Sequence, residues 1–273
     1  MAVDKIQNFL YNNGFGRGLL QICTQPGISK AAGNLLDSGF SKVIIDKFIE
    51  KNNIDMSEYE ETEYKSYNDF FTRKIKKEAR PINFLPSNFI SPCDSRLTVY
   101  KIDSQSMFNI KDTNYTINDL LHNKKLSAKY DGGYCMIFRL CVDNYHRYCY
   151  IDNGKKSRNV RINGILHTVQ PIATNSCGVY KENTREYTVL RTDNFDDVVH
   201  MEVGALLVGR IKNHHEICKI KRGQEKGMFE FGGSTIILLV KEGILNIRED
   251  IVSNSKQSIE TSVKMGEVIA TTL

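Results

Sequence analysis

Long apolar runs are the first feature that this sequence lacks. Its longest uninterrupted aliphatic run is the five residues Ile236–Val240, whereas a helix that crosses a bilayer needs about 20 apolar residues. The first residues of the chain also lack a basic stretch followed by an apolar signal core. We therefore expect no transmembrane helix, and we expect the protein to act in the cytoplasm.

Paired cysteines are also missing. The chain has seven Cys, an odd number, and no two of them form a CxxC pair, so a disulfide framework is not expected. His214, His215 and Cys218 lie close together in the sequence, but their spacing is not that of a zinc motif. We expect reduced thiols and no bound metal.

A strong charge of either sign is absent as well. The 37 basic and 32 acidic residues leave a formal charge of +5, which is weak support for nucleic acid or an anionic membrane as a partner. With 41% hydrophobic and 25% charged residues, the composition is typical of a globular protein. The length of 273 residues allows one well-buried core with a smaller helical appendage.

Helical signals concentrate in residues 1–80. Short amphipathic pieces at the start of the chain are broken by three glycines between residues 14 and 18. Two further helices are predicted over Lys42–Asn52, with Ser41 as a cap, and over Asn68–Glu78. The apolar side chains of the first pieces either belong to the core or lie on a bilayer. The membrane interpretation exposes Phe9, Leu10, Phe15, Leu19 and Leu20 to lipid beside Lys5 and Arg17.

Short β-type runs separated by turn residues dominate residues 81–273. The strand candidates are Leu97–Ile102, Tyr134–Cys141, Tyr148–Ile151, Val160–Val169, Tyr187–Leu190, Val198–Val203, Leu206–Ile211 and Ile236–Val240. Thr116–Leu126 is predicted as one interposed helix, capped by Thr116 or Asn118. The spacings predict an α+β fold, in which a helical N-terminal segment precedes a mostly antiparallel β core. No linker separates two independent domains.

Gly232-Gly233-Ser234-Thr235 stands at the start of the most apolar strand candidate. Two glycines allow another segment to approach the backbone closely, which places the Ser234 hydroxyl against a carbonyl group. One interpretation is a plain turn that enters a core strand. The other is self-cleavage, in which Ser234 attacks the carbonyl of Gly233 and the new N-terminus becomes a pyruvoyl group.

Nine short motifs spread over residues 68–240 support the second interpretation. They are Asn68-Asp-Phe-Phe-Thr-Arg73, Arg80-Pro-Ile82, Ser91-Pro-Cys-Asp94, Phe138-Arg-Leu140, Asn144-Tyr-His-Arg147, Val203-Gly-Ala205, Val208-Gly-Arg-Ile211, Lys221-Arg-Gly-Gln-Glu-Lys-Gly227 and Gly232-Gly-Ser-Thr235. In this order they resemble the phosphatidylserine decarboxylase proenzyme family. None of them is decisive alone, but their ordered co-occurrence is highly specific.

The resemblance implies both a maturation step and a reaction. Cleavage between Gly233 and Ser234 would produce a β chain of residues 1–233 and an α chain of residues 234–273 that carries the pyruvoyl cofactor. The substrate would be phosphatidylserine and the product phosphatidylethanolamine. Residues 1–80 would form a membrane-facing segment, and the protein would be peripheral on the cytoplasmic side of the membrane. A homodimer is left open.

The resemblance also assigns roles to individual residues. Asp94 matches the acid of the charge-relay set that drives self-cleavage, and His146 matches the first His of the family motif Tyr-His-Arg-x-His. We expect His146 to be the general acid that protonates Cα of the substrate, because imidazole titrates near neutral pH. Arg185 is a candidate for contact with a phosphate or carboxylate, or for an ordinary surface pair with Glu186.

The second His of that family motif is missing, because position 149 is Cys. In the family this His is the base between the Asp and the Ser, so the usual triad is incomplete here. Three residues are candidates to replace it: Cys149 itself, His146 acting in both steps, and His167 from a neighbouring strand. A thiol needs a lowered pKa to act as a base, and we therefore favour His167 or His146.

Two other functions are compatible with the sequence. In the first, the chain is a pyruvoyl decarboxylase that acts on a soluble amino acid instead of a lipid. Alternatively, it is an uncleaved lipid-binding relative without activity. Vesicle binding by the N-terminal residues distinguishes the first alternative, and the number of bands on a denaturing gel distinguishes the second.

Overall fold

A computed structural model describes most of the 273-residue chain. The described residues are 33–105, 107–110, 113–164, 179–204, 210–230 and 234–273. Within them a few short helices accompany sheets whose strand pairs are antiparallel. The predicted α+β class with a β-rich core is confirmed.

The helices with defined ends are all short. They are α1 (Ile45–Asn52), α2 (Tyr67–Phe71), α3 (Ile117–Leu121), α4 (Lys124–Ser127), α5 (Val179–Glu182) and α6 (Glu249–Lys256). Single turns of 3-10 helix occupy Gly39–Ile44, Met56–Glu58, Lys77–Ala79 and Ala128–Tyr130. None of the described helices is long and apolar enough to cross a membrane.

The strands number seventeen in the described part of the chain. They are β1 (Asn88–Ile90), β2 (Ser95–Lys101), β3 (Met107–Ile110), β4 (Thr113–Thr116), β5 (Tyr134–Leu140), β6 (Arg147–Cys149), β7 (Gly154–Lys156), β8 (Val160–Ile162), β9 (Arg185–Thr192), β10 (Asp197–Val203), β11 (Ile211–Asn213), β12 (Cys218–Ile220), β13 (Glu225–Phe229), β14 (Ser234–Val240), β15 (Leu245–Ile247), β16 (Thr261–Val263) and β17 (Val268–Thr272).

A nine-stranded sheet forms the centre of the molecule. Its order is β12-β7-β9-β10-β14-β5-β2-β16, and β8 pairs with β9 beside this path. Two three-stranded sheets, β1-β17-β15 and β11-β13-β6, and the hairpin β3-β4 complete the architecture. β14 therefore lies in the interior of the main sheet, between β10 and β5.

Both faces of β14 are covered by apolar cores, which explains its continuous apolar sequence. Successive strand residues point to opposite faces. Ile236 and Leu238 contribute to one core together with Phe138, and Ile237 and Leu239 contribute to a second core on the other side. We call the first side, which also carries Ser234 by the same alternation, the serine face. The prediction of a strand buried on both faces is confirmed.

The N-terminal helices are shorter than predicted. Asn68–Glu78 is helical only in α2, which is capped by the Ser66 side chain at Asp69 N. Beyond α2 the chain runs extended, and Ile75 forms a β-bridge with Tyr59. The extended conformation is more favourable here than the helix that local propensity predicts, because it places Ile75 in a buried cluster.

The segment predicted as a helix over Lys42–Asn52 begins instead with a 3-10 turn and becomes regular in α1. Phe48 packs among buried aromatic rings. Phe40 and Val43 point outward, with 88% and 78% of their surface exposed. Residues 1–32 lie outside the described part of the chain, so the membrane-facing segment over residues 1–80 stays a prediction.

The predicted helix Thr116–Leu126 is two helices, α3 and α4. Thr116 and Asp119 form a capping box at the start of α3, which confirms Thr116 as the cap. His122 then adopts a left-handed conformation with φ of 47° and ends the helix. The candidate strands Val160–Val169 and Leu206–Ile211 run largely into residues that are not described, and β13 was not predicted.

Candidate active site

One end of the main sheet brings together the segments that carry the predicted site residues. Ser234 opens β14 and pairs with Leu140, the last residue of β5. The neighbouring Arg139 pairs with Arg96 of β2. β2 begins at Ser95, directly after Asp94. Adjacent strands are about 4.8 Å apart, so the start of β2 lies roughly 10 Å from Ser234.

Ser234 is fully buried at this end of the sheet. Its hydroxyl has no hydrogen-bond partner among the described residues. A buried hydroxyl without a partner costs about 1–3 kcal/mol, and such groups are often retained for chemistry. Gly233, on the other side of the predicted cleavage point, lies outside the described part of the chain.

His146 lies in the turn that leads from β5 into β6 and is fully buried. Its Nδ1 is 2.9 Å from the carbonyl oxygen of Asn144. A carbonyl only accepts, so Nδ1 carries the hydrogen and Nε2 is the basic nitrogen of the neutral ring. The ring centroid is 4.0 Å from that of Phe71. Phe229 N donates to the His146 carbonyl, which holds this turn against the strand that runs towards Ser234.

Asp94 is held by an arginine and by backbone. Arg80 Nε and Nη2 donate to its two carboxylate oxygens at 2.6–3.0 Å. Met265 N donates to the same carboxylate at 2.9 Å, and Arg80 also donates to Glu58. None of the hydrogen-bond partners of Asp94 in the described residues is a histidine, so its predicted role as an orienting acid stays a prediction.

Cys149 occupies the position of the missing second His and belongs to the core on the serine face. Its amide donates to the carbonyl of Pro92, two residues before Asp94. Burial, and after it the charges of Glu225 and Asp94, raise the pKa of the thiol to about 12. Such a thiol is protonated at neutral pH and does not accept a proton from a hydroxyl group.

His167, the favoured replacement base, falls in residues 165–178, which the structure does not describe. Its approach to Ser234 therefore stays a prediction. The described residues do bring Ser234, His146, Cys149 and Asp94 to the same end of the main sheet, as the sequence motifs require. They are contributed by β14, by the turn after β5, by β6 and by the turn before β2.

Arg185 opens β9 and is almost fully buried. Its guanidinium donates to the carbonyl groups of Asp119 and Leu120 at the end of α3, at 2.6 and 2.7 Å, and to that of Asn183. Burial lowers the pKa of the guanidinium to about 10, so it remains charged at neutral pH. A cation at a helix C-terminus is stabilising, and the predicted contact with substrate stays a prediction.

A buried ionic network on the serine face was not predicted. Lys226 and Glu202 are fully buried, and Lys226 Nζ donates to Glu202 Oε1 at 2.5 Å. Asn213 bridges the pair, because it accepts from Lys226 at 2.6 Å and donates to Glu202 at 3.1 Å. Glu202 pairs with Ile236, so it lies diagonally across from Ser234, about 7–8 Å away.

His200 extends this network along β10. Its Nε2 lies 3.4 Å from Glu202 Oε1, and its ring centroid is 5.9 Å from that of Tyr148. Burial first, and then the charges of Lys226 and Lys156, lower the pKa of His200 well below its usual value, so the ring is neutral at neutral pH. No short sequence motif could have indicated the network, since its members are far apart in the chain.

We expect Glu202→Leu to cost about 3–5 kcal/mol of folding stability, because it leaves the Lys226 ammonium buried without its carboxylate. Glu202→Leu combined with Lys226→Met should recover most of that loss, since an apolar pair replaces both charges. The measurement is urea unfolding of both variants. Glu63→Leu is the control, because its ion pair with Lys42 is exposed. Equal losses in the single and double variants would contradict this account.

The described residues contain no group of three or more His, Cys, Asp or Glu side chains placed to hold a metal ion. They do fit a pyruvoyl group at position 234. The hydroxyl from which it would be made is buried and lacks a described partner, and the surrounding core excludes water. His146 supplies an imidazole at the same end of the sheet.

Comparison with known proteins identifies a family whose members have similar sequences. Residues 67–271 match the family model described as phosphatidylserine decarboxylase. The chain is 50% identical over 265 residues to phosphatidylserine decarboxylase proenzyme 2 of Clostridium acetobutylicum, covering 97% of this chain and 91% of the relative. It is 42% identical over 275 residues to a phosphatidylserine decarboxylase proenzyme of Clostridium botulinum, covering 98% and 93%. A proenzyme of the same name from Clostridium perfringens is 39% identical over 271 residues, covering 97% and 92%.

Proposed function

This chain belongs to the phosphatidylserine decarboxylase family, and we propose that it converts phosphatidylserine to phosphatidylethanolamine after cleaving itself between Gly233 and Ser234. The mature protein would consist of a β chain, residues 1–233, and an α chain, residues 234–273. The α chain would begin with a pyruvoyl group made from Ser234.

The observation that carries this proposal is the position of Ser234. Its hydroxyl is fully buried without a described hydrogen-bond partner, and Ser234 pairs with Leu140, the last residue of β5 before the turn that carries His146. Thr235 also has a buried hydroxyl without a described partner, but only Ser234 directly follows the double glycine, which allows a hydroxyl to approach the preceding carbonyl. A nucleophile needs that oxygen available for the carbonyl of the preceding residue.

The maturation step balances as an acyl shift followed by elimination. Ser234 Oγ bonds to the Gly233 carbonyl carbon, the peptide C–N bond breaks, and the freed amine takes the proton that the hydroxyl has lost. Removal of the Cα proton of Ser234 then expels the Gly233 carboxylate. The side-chain carbon takes up a proton, water supplies the oxygen of the new carbonyl group at Cα, and the terminal nitrogen leaves as ammonia. A base near Ser234 contributes to the first proton transfer.

A pyruvoyl group at position 234 would supply an electron sink for the pair left on Cα of the serine headgroup when CO₂ departs. The residues of this chain do the rest. His146, whose Nδ1 hydrogen is held by Asn144, presents Nε2 as the atom that carries and delivers a proton. The buried site excludes water, so the proton is delivered by the imidazole rather than by solvent.

Intact mass spectrometry of the purified protein tests the proposal. We expect two chains whose masses correspond to residues 1–233 and to residues 234–273 with a pyruvoyl terminus. A single species at the full 31.2 kDa would support an uncleaved lipid-binding relative instead. Cleaved protein that decarboxylates a free amino acid but not phosphatidylserine vesicles would support the soluble-substrate alternative.

We place the protein on the cytoplasmic side of the membrane as a peripheral protein, with phosphatidylserine as its partner there. The described N-terminal residues support this placement, because Phe40 and Val43 expose large apolar side chains beside Lys42. Apolar side chains next to a cation are typical of surfaces that lie in the headgroup region of a bilayer. A homodimer is a further arrangement that the proposal allows.

Vesicle co-sedimentation tests the membrane contact. We expect Phe15→Asp with Leu19→Asp, and separately Phe40→Asp with Val43→Asp, to weaken binding to phosphatidylserine vesicles at least tenfold, because a carboxylate is costly to bury in hydrocarbon. Self-cleavage should be unaffected. Ile217→Asp with Ile259→Asp is the control, since both side chains are exposed in the β-rich part of the chain. Unchanged binding in both test pairs would show that the membrane contact lies elsewhere.

A further inference from the structure

A cavity of about 640 Å³ opens beside the site residues. It lies between the segment 75–84 and the end of the β6–β13 pair, with the turn Lys221–Gln224 at its side. Its volume is within the range of about 300–1,000 Å³ that is typical of small-molecule sites. None of the roles assigned so far requires this space.

The cavity is lined by residues that neighbour the candidate catalytic residues. Tyr145 and Arg147, which flank His146, are both part of its wall, and Cys149 is part of it as well. Arg80, which holds Asp94, lines it too. A ligand in this cavity would therefore contact the immediate neighbours of the residues proposed to act on the substrate.

The interior of the cavity is largely apolar. Ile75, Ile82 and Met265 form walls, and Tyr145 adds an almost fully buried ring. Phe84 stands at the rim with 71% of its surface exposed. Apolar walls with an exposed aromatic at the mouth suit hydrocarbon rather than a hydrated ion.

The rim of the cavity carries positive charge that acidic residues do not neutralise. The guanidinium groups that line it already have acidic partners: Arg80 pairs with Asp94 and Glu58, Arg147 with Glu225, and Arg222 with Asp152. Lys77 and Lys221 are exposed lining residues, and neither forms an ion pair with a described residue. Lys76 is also exposed in the lining, but it donates to the carbonyl of Ser57. Lys77 and Lys221 are therefore the lining ammonium groups left for an anion at the mouth.

We propose that this cavity binds one anionic phospholipid molecule, with the phosphate at Lys77 and Lys221 and the start of the acyl chains against Ile75, Ile82 and Met265. The inference rests on the proposed function, because the lipid bound there in the working enzyme would be the substrate. The phosphate and glycerol portion of the substrate would then be bound by this cavity, and not by the candidate catalytic residues. Phe84 marks the side from which the chains enter.

The binding test uses a lipid that the enzyme cannot consume. Dihexanoyl phosphatidylglycerol is anionic and has no carboxylate to lose, so its binding to the full chain can be measured by calorimetry below its micelle concentration. Dihexanoyl phosphatidylcholine keeps the phosphate and chains but has no net charge. Glycerol 3-phosphate and inorganic phosphate lack the chains. We expect the anionic lipid to bind at least tenfold more tightly than each of these three.

Charge reversal tests the rim. Lys77→Glu with Lys221→Glu should weaken dihexanoyl phosphatidylglycerol binding at least tenfold. It should also raise KM for phosphatidylserine with little change in kcat, because the ammonium groups contact the bound lipid and not the reacting atoms. Lys125→Glu with Lys155→Glu is the matched control, since it makes the same change in net charge at exposed lysines outside the cavity. The control should bind within about twofold of the unmodified chain.

Removal of the Phe84 ring tests the contact between the cavity and the acyl chains. Phe84→Ser should weaken lipid binding about threefold or more, whereas Ile217→Ser, which removes an equally exposed apolar side chain elsewhere, should not. Equal binding of inorganic phosphate and lipid, or equal losses in test and control variants, would overturn the inference. An uncleaved or inactive chain that still binds the lipid through Lys77 and Lys221 would overturn the proposed function and leave this site standing.

Discussion

Replacing Ser234 by Ala is expected to leave a single intact chain with no decarboxylase activity. The substitution removes the hydroxyl proposed to attack the Gly233 carbonyl, so both the chain break and the pyruvoyl group should be lost together. The side chain is buried and its hydroxyl has no described hydrogen-bond partner. Its removal therefore leaves no other described group unsatisfied, and the fold should be kept.

Intact mass and unfolding measurements on the Ser234→Ala protein check this expectation. Thr235→Ala is the matched control, because its hydroxyl is also buried without a described partner but follows the cleavage point. We expect Thr235→Ala to cleave and Ser234→Ala to remain at 31.2 kDa. Normal cleavage of the Ser234→Ala chain would refute the mechanism, whatever the activity.

The second large effect concerns the base that replaces the missing histidine. A positioned base contributes about 10²- to 10⁴-fold to a proton transfer, so its loss should slow maturation by that factor without changing the cleavage point. If His167 has this role, His167→Ala should accumulate uncleaved chain. His146→Ala should mature but decarboxylate poorly, since its role follows the formation of the pyruvoyl group.

The pH dependence of the cleavage rate distinguishes Cys149 from a histidine as the base. With the pKa of its thiol at about 12, a Cys149 base would make the maturation rate rise about tenfold per pH unit through pH 7–10. A histidine base would make the rate level off above its own pKa, near neutral pH. We expect the levelling profile, and we expect Cys149→Ala to cleave at nearly the normal rate.

Cys149→His completes the test, because it rebuilds the family motif and should accelerate maturation. Arrest in His146→Ala together with full-rate cleavage in His167→Ala would contradict the assignment, since it would show that one imidazole serves both steps. Rates are measured by following the two chains over time after rapid synthesis. The Ser234→Ala chain defines the uncleaved reference.

The fold was predictable to the extent that local patterns report burial. The apolar run Ile236–Val240 favours a strand covered on both faces over a helix, and the cores on its two sides confirm this prediction. The prediction of a helix over Asn68–Glu78 was wrong in its second half, because Ile75 is buried by pairing with Tyr59. That contact joins residues that are distant in the chain, and propensity does not contain it.

The candidate site was predictable where a motif carries it. Ser234, Asp94 and His146 could be named from short motifs, and the register of β14 with β5 and of β5 with β2 brings their segments to one sheet end. The partner of Asp94 could not be named, because Arg80 reaches it from outside β2. The pKa of Cys149 also depends on burial, which no sequence pattern at that position reveals.

By itself the sequence determined the candidate nucleophile, the order of the family motifs and the class of fold, because these depend on residue types at fixed spacing and on local periodicity. Only the tertiary structure decided what surrounds them. It placed Lys226 and Glu202 as a buried pair on the serine face, bound Asp94 to Arg80 and left Lys77 and Lys221 at the mouth of an apolar cavity. Each of these depends on contacts between residues far apart in the chain, whose energies are set by burial and charge.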